Sequence, residues 1–384
     1  MTKPRIVVLT SSLDVLGGAQ RVAHVIADHL AARDYSVDLV GVAPSGTPHD
    51  YGTGTGLRRS NLMREEWPTM PVSFGATGRR EPSDPGVLAH RDVLSAQAVA
   101  ALELLLRDGP PGVVVSTQLW AMEHLARAPH DGWSVIGQYH SSIEAAAAGP
   151  DLQRALDLYA DVDAVAMLTP TDADAMRRAG LNNVTWLPNP LAFWPATPVV
   201  GRDGPAGQVT YLGRFAGEKG LAFLVDAWGR VADGFPGWRL RLVGSGPEEA
   251  ALRQHAAQLP AGGDRVEFHP PVVDAEAELR RSDVVVLPSL TEGMPLALAE
   301  AMALGLPCVA TDCSSGVRMV TREGRAALLV ARGDAAALAQ GLSRLMSSPE
   351  YRGSLGRAAR AAAAPYRASV VIDQWELLIA SVLR

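Results

Sequence analysis

Two cysteines, Cys308 and Cys313, are all that this 384-residue chain contains. That is too few for a disulfide framework or a cysteine-based zinc site, and it points to a reducing compartment. No apolar run approaches the roughly 20 residues that span a bilayer. The short apolar run in "MTKPRIVVLTSS" gives way to polar residues and Gly17-Gly18 without a cleavage-site pattern. The cytoplasm is therefore the expected location, with peripheral contact at the inner face of a membrane left open. An excess of positive charge is missing too. The net charge is −6, so there is no basic stripe to displace counterions from a nucleic acid, and any phosphate binding has to be local. What is present suits a soluble globular chain: 47% hydrophobic and 20% charged residues, over a length that favours two packed domains.

Along the chain, apolar strand-like runs alternate with helical periodicity. "RIVVLT" (5–10) reads as a buried strand, residues 19–33 as a helix, and 36–43 as the next strand. Further strands are expected at 113–117, 134–138, 164–168 and 184–187. The Pro/Gly-rich stretch 188–207 interrupts the alternation. A second series then places strands at 208–213, 239–244, 265–268, 283–288, 307–310 and 326–330. The fold class that follows is α/β, with two Rossmann-like, doubly wound parallel-sheet domains facing across a cleft. The expected division is 1–190, 191–365, and a terminal helix over 366–384 that packs back on the first domain. Ligands of such sheets bind beyond the carboxyl ends of the strands, so the site belongs between the domains.

"LTEGMPLALAE" (290–300) carries two carboxylates eight positions apart. Pro295 suits the first turn of a helix that stops at Gly305, which leaves Glu292 in the preceding loop and Glu300 about one and a half turns inside. At close to 8 Å further along the axis, they are no tight catalytic dyad. They suit two diols of one long ligand, with the backbone at Gly293 and Met294 holding an anionic part between them. A capping acid plus a solvated helical acid is the plainer alternative. In "YLGRFAGEKG" (211–220), Arg214 and Lys219 sit at a strand's carboxyl edge, where two cations can clamp a diphosphate and neutralise a departing phosphate. Ordinary surface charge is the competing reading.

Together, "GRFAGEKG", "VGSGPEE" and "PSLTEGMPLALAEAMALGLPCVATD" resemble the retaining family 4 glycosyltransferases of the GT-B fold, most closely over residues 208–345. The resemblance implies that Glu300 binds ribose hydroxyls and Glu292 the transferred sugar, with Gly293, Met294 and Pro295 lining the sugar and phosphate pocket. It implies that Gly17 and Gly18 in "SSLDVLGGAQRV" admit the diphosphate and acceptor, and that His140 in "GQYHSS" faces the donor sugar. Asn189-Pro190-Leu191 stands where many relatives have Asn-Gly-Val, which opens the role of Asn189. The implied substrates are a nucleoside-diphosphate sugar, chiefly a UDP-sugar, and a hydroxyl acceptor; no cofactor and no metal are expected. A nucleotide-sugar epimerase, a phosphorylase, and a non-catalytic nucleotide-sugar-binding subunit are the alternatives.

Other signals carry less. "GTGTG" (52–56) lacks the flanking strand and helix of a dinucleotide fingerprint and reads as a loop. Gly244 and Gly246 form a tight turn near the nucleotide. "DVD" (161–163) and "DAD" (172–174) precede a strand and open a helix, where acids suit the dipole better than they suit a metal. Residues 44–90 form a long Gly/Pro-rich insertion. Its Arg58, Arg59, Arg64, Arg79 and Arg80 are balanced by Asp50, Glu65, Glu66, Glu81 and Asp84, so it reads as a solvated loop and a candidate lid.

Overall fold

A computed structural model describes residues 3–52, 56–68, 85–199 and 207–383. The first half runs β1 (Arg5–Thr10), α1 (Gly18–Ala31), β2 (Ser36–Gly41), β3 (Leu57–Asn61), α2 (Pro85–Arg107), β4 (Val113–Ser116), α3 (Leu119–Leu125), β5 (Ser134–Tyr139), α4 (Ile143–Ala147), α5 (Asp151–Tyr159), β6 (Ala164–Met167), α6 (Pro170–Arg178) and β7 (Val184–Trp186). The second half runs β8 (Gly207–Leu212), α7 (Leu221–Val231), β9 (Trp238–Val243), α8 (Glu249–Ala257), β10 (Val266–His269), α9 (Ala275–Leu279), β11 (Val284–Leu287), α10 (Leu296–Ala303), β12 (Cys308–Thr311), α11 (Ser315–Thr321), β13 (Leu328–Val330), α12 (Ala335–Ser347), α13 (Pro349–Ala363) and α14 (Ala368–Val382).

Each half builds one sheet from parallel pairs, in the orders β3-β2-β1-β4-β5-β6-β7 and β10-β9-β8-β11-β12-β13. The central strands are apolar at nearly every position because helices cover both faces. Strand order reverses between β1 and β4, and again between β8 and β11. At such a reversal the following loops diverge and leave a crevice at the carboxyl edge. The loops after β1, β8 and β11 carry Gly17-Gly18, Arg214 with Lys219, and Glu292, so topology alone brings the three motifs to the two crevices.

The last helix does not stay with the second half. Val371, Ile372, Trp375, Ile379 and Val382 of α14 pack with Ile6, Val8, Val22 and Ile26 against the first sheet. Ser134 Oγ donates to the Val382 carbonyl at 2.6 Å, and Arg33, just beyond α1, pairs with Asp373 at 2.7 Å. The chain therefore crosses between the sheets twice. The crossings run side by side: Leu191 N–H donates to the Tyr366 carbonyl at 2.8 Å, and Leu191 bridges Arg367 in parallel.

Two expectations are corrected. The 44–90 segment is not wholly a solvated loop, since β3 pairs along β2 as an edge strand and α2 begins at Pro85. "LRRSN" lacks apolar alternation because an edge strand needs backbone pairing on one side only. Its arginines are engaged, Arg58 Nε on Asp38 Oδ1 at 2.6 Å and Arg59 Nη2 on Asp28 Oδ1 at 3.2 Å. Arg79, Arg80, Glu81 and Asp84 lie outside the described residues, as does the centre of "GTGTG". Pro295 is the N-cap of α10 and not its first-turn residue; its ψ of 96° lies outside the helical range. Among the described residues no helix is long and apolar enough to cross a membrane.

Candidate active site

The loop after β8 folds into a short 3-10 turn over Gly217–Lys219 and ends at Gly220, whose φ is +64°. A Cβ there would stand 2.3 Å from the Pro288 carbonyl oxygen, so only glycine lets this loop lie against the end of β11. The close approach delivers Lys219 to Glu292: Nζ donates to Oε1 at 2.8 Å, and Ser289 Oγ donates to the same oxygen at 2.7 Å. Both contacts fall on one oxygen, which leaves Oε2 of Glu292 for another donor. Arg214 is turned aside. Its guanidinium pairs with Glu218 and its side chain is 66% exposed. The sequence spacing brings it to the loop that carries Lys219, where Glu218 holds its guanidinium. Gly244 and Gly246 support this loop from beneath, for a Cβ on either would meet the carbonyl of Gly213 or Phe215 at 1.9 or 2.3 Å.

α10 then carries Glu300 inward. The helix stops at Gly305 with φ +78°, the left-handed conformation that releases the chain. Glu300 is only 1% exposed, and burial pushes its carboxyl above the usual range while Arg21 opposes that rise. Arg21 belongs to α1 in the other domain. Its Nη1 donates to both carboxylate oxygens, at 3.0 and 3.2 Å.

On the first-domain side, α1 starts without a side-chain cap. The Gly17 N–H donates to Tyr51 Oη at 2.7 Å, and that hydroxyl lies 2.8 Å from the Val15 carbonyl as donor. Tyr51 thus pins the glycine loop, and the Gly17 amide is already taken. Its ring stacks on His24 with centroids 4.7 Å apart. Gly18 lies against α10, where an added Cβ would stand 3.2 Å from Leu296 Cδ1.

His140 follows β5, and its carbonyl faces Gly293 so closely that a Cβ on that glycine would come within 2.2 Å. Its Nε2 is buried with no hydrogen-bond partner among the described residues, and burial pushes the ring down to about 4. The ring is neutral at pH 7. Met294 Sδ accepts from the Asn189 N–H at 3.2 Å, which gives Asn189 a place at the junction of the two halves. Ser315 Oγ donates across the cleft to Asp172 Oδ2 at 2.6 Å. That bond, the Thr169 hydroxyl and the Ile143 N–H occupy the Asp172 carboxylate of "DAD".

The fold therefore gathers Lys219, Glu292, Gly293 and His140 in one place, with Glu300, Gly18 and Met294 along the same interdomain seam. Arg21 and Tyr51 were not legible from motif spacing, because each acts through a partner remote in the chain. An arginine three residues after Gly-Gly and a tyrosine in a loop carry no local signature. Cys308 and Cys313 are buried free thiols, the latter pushed up to about 11 chiefly by burial.

Residues 16–192 match the family described as Glycosyltransferase Family 4, and residues 206–348 match Glycosyl transferases group 1. A D-inositol 3-phosphate glycosyltransferase of Frankia alni is 30% identical over 327 residues, covering 78% of this chain and 77% of that protein. An "uncharacterized glycosyltransferase" of Haemophilus influenzae is 31% identical over 195 residues, 51% of this chain and 54% of the relative, so the match spans about half that protein's length. HepE of Anabaena, solved with UDP and glucose, superposes with a TM-score of 0.74 at 17% identity, covering 98% of this chain and 100% of that one. Both halves matched in order, and two parallel sheets facing one another, place the chain in the family 4 glycosyltransferases of the GT-B fold.

Proposed function

We propose that this glycosyltransferase is retaining and metal-independent. It moves a sugar from a nucleoside-diphosphate sugar, chiefly a UDP-sugar, to an acceptor hydroxyl of a bacterial glycan, a lipid-linked precursor or a natural product. The donor lies mainly on the second domain and the acceptor in the first, and the reaction takes place in the cytoplasm. The observation that carries this reading is the contact between Lys219 and Glu292, with the carbonyl of His140 against Gly293. A cation for the leaving diphosphate, a carboxylate for sugar hydroxyls and a neutral imidazole come together from three separate loops. HepE's complex with UDP and glucose favours a uridine donor. The occupied carboxylates of Asp163, on the Val135 N–H, and Asp172 favour a reaction without metal.

In this reading the bond between the anomeric carbon and the β-phosphate oxygen breaks, and the electron pair leaves with the nucleoside diphosphate. Lys219 neutralises the growing charge, and Arg214 joins it by rotating off Glu218. The acceptor oxygen bonds to the anomeric carbon from the face the phosphate vacates. Its proton passes to a phosphate oxygen, so a carboxylate nucleophile is not required. Replacing Lys219 with Ala is expected to lower kcat by about 100- to 1,000-fold, with the melting temperature held near that of the parent chain. Turnover close to normal, measured with donor in excess, would remove Lys219 from the leaving-group site.

A further inference from the structure

Glu300 is the most deeply buried carboxylate at the seam, and its side chain meets a single guanidinium nitrogen. Arg21 Nη1 straddles the two oxygens at 3.0 and 3.2 Å. An ionised carboxylate offers about four acceptor positions, so this contact leaves one on each oxygen. No other side-chain hydrogen bond to Glu300 is present among the described residues. Arg21 also lines a cavity of about 460 Å³, shared with His49 and Tyr51 of the first domain and with Val273 and Glu276 of the second. The arginine stands one turn beyond Gly18, on the helix that abuts α10.

We infer that Arg21 is a positioning residue of the donor site: from the first domain it holds the Glu300 carboxylate with two acceptor positions aimed at the ribose diol. The inference rests on the reading of Glu300 as the ribose ligand. Its physical basis is the cost of burying an unpaired charge. Without a cation, a carboxylate this deep takes up a proton, and one acceptor of the diol becomes a competing donor. Arg21 opposes that proton uptake, and its bifurcated contact fixes the rotation of the carboxylate. Because the two residues come from opposite domains, the ribose grip is complete only when the domains face one another as they do here. A purely structural ion pair makes a different demand: it would tie the domains together and affect every nucleotide alike.

A thermodynamic cycle separates the two. UDP and GDP, and their 2′,3′-dideoxy counterparts, are titrated calorimetrically into the full chain, Arg21→Met, Arg21→Lys and Glu300→Gln. Arg21→Met is expected to weaken whichever natural diphosphate binds by about 10- to 100-fold, the value of a hydrogen bond to a charged group. The dideoxy form should change less than about twofold, since the contact served by Arg21 is already gone. Arg21→Lys keeps a charge with shorter reach; it is expected to fall between, and it carries the test if the methionine variant does not fold. Equal weakening of both forms, or unchanged binding of the natural one, overturns the inference. If the full chain does not distinguish the natural from the dideoxy form, or Glu300→Gln binds the diphosphate normally, the ribose role of Glu300 itself is wrong. In that event Arg21 loses its part with it.

Discussion

His140 carries a titration that belongs to one side chain. Burial holds its ring near 4, against an ordinary 6.5 in the unfolded chain. Between those values the unfolded chain binds a proton that the folded chain does not, so stability rises with pH across this window and the contribution vanishes above it. Replacing His140 with Gln removes the difference. As pH falls from 6.5 to 4, the parent chain should lose roughly 2 to 3 kcal/mol relative to the variant. Parallel denaturant titrations at several pH values measure this, and parallel curves for the two proteins would mean that water reaches the ring. His24 and His124 are also lowered by burial, but they remain in both proteins and cancel in the comparison.

At the level of elements, α14 is the case where chain order and spatial order part company. Trp375 is fully buried, and its Nε1 has no hydrogen-bond partner among the described residues. Truncation to Ala therefore costs packing and no hydrogen bond, about 3–5 kcal/mol by the range for large aromatics. Hydrogen exchange should locate the loss in β1, β4 and α1, which share its cluster, and leave β8 to β12 protected; weakening of the second sheet instead would contradict the packing. The same contrast explains what was readable. Buried strands such as β1 and β11 announce themselves because both faces are covered and every position is apolar. The loops carrying Lys219 and Glu292 were placed by counting from those strands. β3 was hidden because polar "LRRSN" draws its order from the backbone of β2 and from Asp38. The pairing of Arg21 with Glu300 was hidden because 279 residues separate the partners, and no local period encodes a contact made by packing two domains.

For the whole molecule, the seam between the sheets is set by contacts too close for side chains. Gly293 has no room for a methyl group beside the His140 carbonyl. Gly293→Ala is expected to wedge the domains apart while each sheet keeps its own core. Turnover should fall by about tenfold or more, as displacements near 1 Å at reacting centres cost that much and beyond. Distance measurements between labels on α2 and α8 should report a wider cleft, and an unchanged distance would mean that the loop of Gly293 yields locally.

The paired crossings at Leu191 and Tyr366 have a mechanical consequence of their own. Two covalent straps laid side by side act as the spine of a book: the covers can part, but they resist twisting or sliding past each other. Groups beside the spine, such as Asn189 on Met294, keep their spacing as the covers move. Those at the far margin have the longest lever arm and are the ones such a strap constrains least.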